Sequence, residues 1–104
     1  AKAASKFRAA IARDPVNASF YAGFADFYRE VMKDPASAEA ALQEGLSKTP
    51  AKTNLYVSLG SLYAGMGRRP DAVRAYESAL ADPAMGPAER AAISGEVERL
   101  KQAP

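Results

Sequence analysis

The chain has 104 residues, of which 14 are Lys or Arg and 12 are Asp or Glu. A net charge of +2 gives no electrostatic reason to expect nucleic acid as a partner. There is neither cysteine nor histidine, which excludes disulfides and thiolate chemistry and removes the commonest transition-metal ligand and the usual general base.

No apolar run approaches the ~20 residues that span a bilayer. The length suits one domain, near the lower size for a self-contained core.

The elements in chain order are all helical. A first helix is expected over about Lys2 to Arg13, with Ala3, Phe7, Ala10 and Ile11 inward and Lys2, Lys6, Arg8 and Arg13 on a basic, solvated outer side. Asp14-Pro15 breaks it. Asn17 caps a second helix, about Ala18 to Lys33, through its side-chain oxygen. That helix carries Phe20, Tyr21, Phe24, Phe27, Tyr28 and Val31, a density of aromatics that reads as core before it reads as a ligand platform.

Asp34 as N-cap and Pro35 at the first helical position open a third helix, closed by Lys48-Thr49-Pro50. A fourth, from Asn54, places Leu55, Tyr56, Leu59, Leu62, Tyr63 and Met66 in one stripe and stops at Gly67, a residue at ease in the left-handed conformation. Pro70 starts a fifth, with Ala72, Val73, Tyr76, Ala79 and Leu80 inward. After Asp82-Pro83 and a short loop, a sixth runs over about Pro87 to Gln102. Ile93, Val97 and Leu100 form its stripe, Ala88 and Ala92 lie nearby, and Arg90, Glu98, Arg99 and Lys101 mark its wet side.

The pattern repeats. Stepping 35 residues back from Tyr56, Leu59, Gly60 and Tyr63 reaches Tyr21, Phe24, Ala25 and Tyr28. A step of 34 from Ala72, Tyr76, Ala79 and Leu80 reaches Ala38, Leu42, Gly45 and Leu46. The one-residue difference falls in the turn between Tyr28 and Ala38. A further step of 35 from Leu42, Gly45, Leu46 and Pro50 reaches Phe7, Ala10, Ile11 and Pro15.

The order Tyr56, Leu59-Gly60, Tyr63, Gly67, Ala72, Tyr76, Ala79-Leu80 and a closing Pro83 resembles the tetratricopeptide repeat. It departs from that pattern in Tyr56, where tryptophan is usual, and in a closing proline one residue early. The resemblance covers about four-fifths of the chain and implies an all-α, right-handed superhelical stack of antiparallel helix pairs, an α-solenoid of about six helices. Residues 1–15 would be the second helix of a truncated repeat, 17–50 and 53–83 full repeats, and 87–103 a capping helix. Small Gly60 and Ala25 are expected where the two helices of each repeat cross. Because the chain begins at Ala1, part-way through a repeat, it is expected to be a piece of a longer protein.

Catalysis finds little support. Asp26 and Glu30 stand four apart beside Arg29, and close carboxylates can split their pKa values, but an exposed charged cluster accounts for them. Gly65-Met66-Gly67 sits at a helix end with no strand before it, which is the wrong setting for a phosphate loop. The serines lack a partner to activate them. No enzyme activity, cofactor or metal is expected.

What the resemblance assigns instead is a surface. In that family the first helix of each repeat lines a concave groove that binds peptides or helices of partner proteins. Carried over, the groove side is Ser19, Ala22, Gly23, Asp26, Arg29 and Glu30 in one repeat and Asn54, Val57, Ser58, Ser61, Ala64 and Gly65 in the next. These positions lie opposite the Tyr/Leu stripe and are mostly small or polar, so a ligand backbone could come close.

The chaperone-tail clamp of some family members is not expected, since Ala22, Asp26 and Ser58 stand at the matching places. The expected function is therefore protein binding. The alternatives are an assembly scaffold, or an accessory domain of a larger protein with catalysis elsewhere. Weak self-association is expected through Ala3, Phe7 and Ala10 at the N-terminal half repeat, where apolar surface would be uncovered.

Overall fold

A computed structural model describes residues 2–102. The expected outward placement of the Lys2 side chain, and the end of the last segment at residue 103, lie outside the described residues. Among those residues the chain forms six helices and no strand. They are α1 (Lys2–Arg13), α2 (Ala18–Asp26), α3 (Pro35–Lys48), α4 (Thr53–Gly65), α5 (Arg69–Leu80) and α6 (Pro87–Gln102). They gather into two compact units, residues 1–55 and 56–104. Among the described residues no helix is long and apolar enough to cross a membrane.

In the first unit, α1 lays Phe7 against α2. Its ring stacks on Phe24 at 5.3 Å between centroids and reaches Phe27 at 5.8 Å, and Phe24 in turn meets Tyr28 at 4.6 Å. Offset ring pairs of this kind stabilise beyond the area they bury. Of the aromatic run, Tyr21 and Phe24 are core, buried with Ala25, whereas Phe20, Phe27 and Tyr28 are half-buried and Val31 is exposed.

Phe7 is half-buried, one face already taken by α2, so the expected apolar patch is reduced to its remaining edge and to exposed Ala3. Arg8 stays exposed, as expected, while its guanidinium lies 4.8 Å above the Phe24 ring and donates from Nη1 to both carboxylate oxygens of Glu44 on α3 at 2.9 and 3.0 Å.

The connections follow local chemistry. Asn17 Oδ1 accepts from the Ser19 N–H at 3.0 Å and caps α2. The buried Tyr21 hydroxyl donates to the Pro15 carbonyl at 2.7 Å, tying α2 to the turn that precedes it. Burial, and next the Glu44 carboxylate, push the Tyr21 phenol above its ordinary pKa.

The second helix does not run on as α-helix to Lys33. From Phe27 to Val31 it widens into a π turn, with the Met32 N–H donating to the Phe27 carbonyl. Lys33 then takes φ +53°, and the Asp34 N–H closes onto the Tyr28 carbonyl at 2.8 Å. Asp34 caps α3, accepting from the Ser37 N–H at 3.1 Å and from its hydroxyl at 2.6 Å.

Buried Ala38, Ala41, Leu42 and Gly45 form the inner side of α3. A Cβ on Gly45 would stand 2.8 Å from Cβ and Cγ of Tyr21, so only glycine lets these two helices approach so closely. At the far end of α3 the Lys52 ammonium donates to the Leu46 and Thr49 carbonyls, groups a helix C-terminus otherwise leaves open.

In the second unit, α4 buries Leu59, Gly60, Leu62 and Tyr63, and α5 buries Ala72, Ala75, Tyr76 and Ala79. Their link is a Schellman turn. Gly67, at φ +77°, donates to the Ala64 carbonyl at 3.1 Å, and the Arg68 N–H donates to the Tyr63 carbonyl at 2.9 Å. Met66, expected on the apolar stripe, lies in this turn and is exposed because α4 has already ended at Gly65.

The stripe of α6 is buried as expected, and Met85 from the preceding loop joins it. Ala88 and Ala92 are exposed. Arg90 is not on the wet side. Half-buried, it donates from Nη1 to the Leu80 carbonyl at 2.8 Å and from Nη2 to the Asp82 carbonyl at 2.7 Å, which closes the C-terminus of α5.

Candidate functional site

Small and polar residues on helices α2 and α4 are presented outward by the burial of the opposite face. On α2 and the π turn after it, Tyr21, Phe24 and Ala25 turn inward, while Ser19, Asp26 and Glu30 are exposed and Ala22, Gly23 and Arg29 half-buried. On α4, Leu55, Leu59, Leu62 and Tyr63 take the core, leaving Asn54 and Gly65 exposed and Val57, Ser58, Ser61 and Ala64 half-buried. None of the twelve positions is buried.

Their settings differ. Gly23 is held close to α1, and a Cβ there would meet Cε1 of Phe7 at 3.1 Å. Helix packing alone accounts for a small residue at that position. Arg29 approaches Glu30 at 3.7 Å, a solvent-screened pair of adjacent residues that contributes little to stability. Both sit on the π turn, so the expected continuation of an α-helical face through Arg29 and Glu30 is bent at that point.

The residues with displaced pKa values serve structure. The hydroxyl of Ser37, and next its N–H, hold the Asp34 carboxyl below the usual aspartate range, and the Arg99 guanidinium does the same for Glu96 on α6. Every buried polar side-chain atom among the described residues has a hydrogen-bond partner. The same residues hold no cluster of three or more acidic side chains suited to a metal ion.

Sequence reasoning did not anticipate a pocket of about 580 Å³ between α5 and α6. Pro70, Val73 and Leu100 provide its apolar walls, and Arg69, Arg74 and Lys101 are its charged lining. The signal was present in the sequence: basic residues that frame an apolar position on α5 and follow one on α6. Only the packing of the two helices brings them together. Neither protein-family models nor curated proteins include a match to the chain.

Proposed function

We propose that this chain is a tetratricopeptide-like module that binds an extended or helical segment of a partner protein through the outward strips of α2 and α4. The observation that carries the proposal is that all twelve expected groove positions reach solvent while staying small or polar. A merely solvated helix face favours long charged side chains, and α4 has none on its strip. One further feature supports the repeat reading: the carbonyls of Tyr28 and Tyr63, 35 residues apart, each accept from a backbone N–H of the turn that follows.

Grooves of this kind give modest affinity, because ordering the bound segment consumes much of the contact energy. A micromolar interaction, about −8 kcal/mol, is expected. A photocrosslinking residue at Asp26 or Ser58 should capture the partner, whereas the same residue at Ala40, exposed on α3, should not. Val57→Glu should abolish binding and leave the circular dichroism spectrum unchanged. Capture from Ala40 alone, or full affinity in the Val57 variant, would reject this surface.

A self-assembly module is the second reading, favoured by one observation. Val31, the last residue of the π turn, and Met32, which follows it, are 66% and 51% exposed. Light scattering across a concentration series, with Val31→Ser/Met32→Ser as the comparison, separates the two.

A further inference from the structure

We infer that the pocket between α5 and α6 is a second binding site, one that takes an acidic peptide segment anchored by an aliphatic side chain. Its size, about 580 Å³, falls in the range of small-ligand and side-chain pockets. The lining is divided by chemistry. Pro70, Val73 and Leu100 offer an apolar surface, whereas Arg69, Arg74 and Lys101 supply three positive charges, and no acidic residue lines the pocket.

Two acidic residues, Asp71 and Glu77, pair with cations of this cluster. Asp71 is shared by two guanidiniums, Arg68 at 2.8 Å and Arg74, so one carboxylate answers two cations. Lys101 meets Glu77 at 3.4 Å with both side chains half exposed, a pairing that a better-placed carboxylate can displace at little cost.

Charge and shape together choose the occupant. A small inorganic anion would use the cations and leave the apolar walls wet. A nucleic acid would look for stacking surfaces, and no aromatic ring lines the pocket. An aliphatic side chain between Val73 and Leu100, flanked by carboxylates that reach Arg69 and Lys101, uses both parts. The site lies wholly within the second unit and shares no residue with the strips of α2 and α4, so it stands or fails independently of the proposed groove.

The test uses the whole chain and a capped, fluorescently labelled peptide with a leucine pair flanked by Asp and Glu. Fluorescence anisotropy should show saturable binding. Arg69→Glu with Lys101→Glu should weaken it at least about tenfold, and so should replacing the peptide leucines by serine. Lys6→Glu on α1 and Val57→Glu on α4 should leave it within about twofold, the latter separating this site from the groove.

Three results would overturn the inference: no saturation at millimolar peptide, affinity unchanged by the paired substitution in a chain whose circular dichroism spectrum is native, or equal affinity for the serine peptide. Equal binding of a short oligothymidylate would also overturn it, reducing the pocket to a generic basic patch.

Discussion

Tyr76 lies flat against the backbone of Gly60, so that a Cβ added to the glycine would fall 2.6 Å from the ring's Cδ1 and Cε1. Tyr21 and Gly45 repeat the arrangement in the first unit with the helices exchanged, the tyrosine on α2 and the glycine on α3. Each hairpin therefore gains its close approach from one missing side chain and one large ring. A ring fixed by packing on both sides cannot move away cheaply.

Gly60→Ala should consequently destabilise the protein, although alanine is the better helix former. Overpacking of this kind costs ~1–3 kcal/mol, and Gly60→Leu should cost more. Gly95 on α6 is the control, since nothing lies within 4 Å of its would-be Cβ. Gly95→Ala should stabilise by roughly 0.5–1 kcal/mol. Denaturant melts that show both changes neutral, or both stabilising, would contradict the packing described.

The sequence made helix boundaries legible wherever capping chemistry was local. Asn17, Asp34-Pro35, Gly67, Pro70 and Pro87 all stand where their side chains or backbone preferences place them. It was less informative where distant groups decide. Arg90 looks like a solvated cation in sequence, yet the carbonyls of Leu80 and Asp82 draw it in, and the exposed Arg8 finds its partner, Glu44, on another helix.

The one-residue offset between the two matching sequence stretches was visible, but its structural form was not. Tyr28 and Tyr63 each keep a carbonyl bond to the turn, and the extra residue is absorbed as a π turn before Lys33 rather than as a longer loop. Of the candidate site, outward orientation was readable from periodicity. The packing of Phe7 on Gly23 and the pocket beside Leu100 were not, because both depend on which helices become neighbours.

Lys33 holds φ +53°, a conformation that costs a residue with a Cβ and that glycine adopts freely. The side chain is exposed, so Lys33→Gly should raise stability by ~0.5–1 kcal/mol. The matching position in the second unit should respond in the opposite sense. Gly67 sits at φ +77°, and Gly67→Ala should cost about 1 kcal/mol. Paired thermal melts of the two variants check this directly, and a destabilised Lys33→Gly protein would refute the left-handed assignment.

Arg90 joins α6 to the end of α5 by a forked pair of bonds to two carbonyls. Charged hydrogen bonds of this type contribute more than neutral ones, so Arg90→Ala should cost about 2 kcal/mol. Lysine presents a single point of charge and cannot reproduce the fork, so Arg90→Lys should recover only part of the loss. Hydrogen exchange should show the faster-exchanging amides concentrated in α6 and the last turn of α5. An even rise across the whole chain would mean that Arg90 acts on global stability instead of on that junction.

Asp34 links stability to pH. Hydrogen bonds from the Ser37 hydroxyl and N–H favour its charged form and hold its pKa below the usual aspartate value of about 3.9. Between the folded and unfolded pKa values the native state binds fewer protons than the unfolded chain. The cap's stabilising contribution is therefore complete above the unfolded value and fades as pH falls through the folded one.

Glu96 is held low by Arg99 and adds the same trend to the wild type, so the informative quantity is the difference between wild type and Asp34→Ala. That difference should be largest near neutral pH and shrink progressively below about pH 4. Ser37→Ala removes the hydroxyl donor and should lessen the pH dependence while preserving the backbone part of the cap. If denaturant melts give the same gap between wild type and Asp34→Ala at pH 7 and at about pH 3, the side chain caps α3 equally well when neutral, and its charge plays no part in holding that helix.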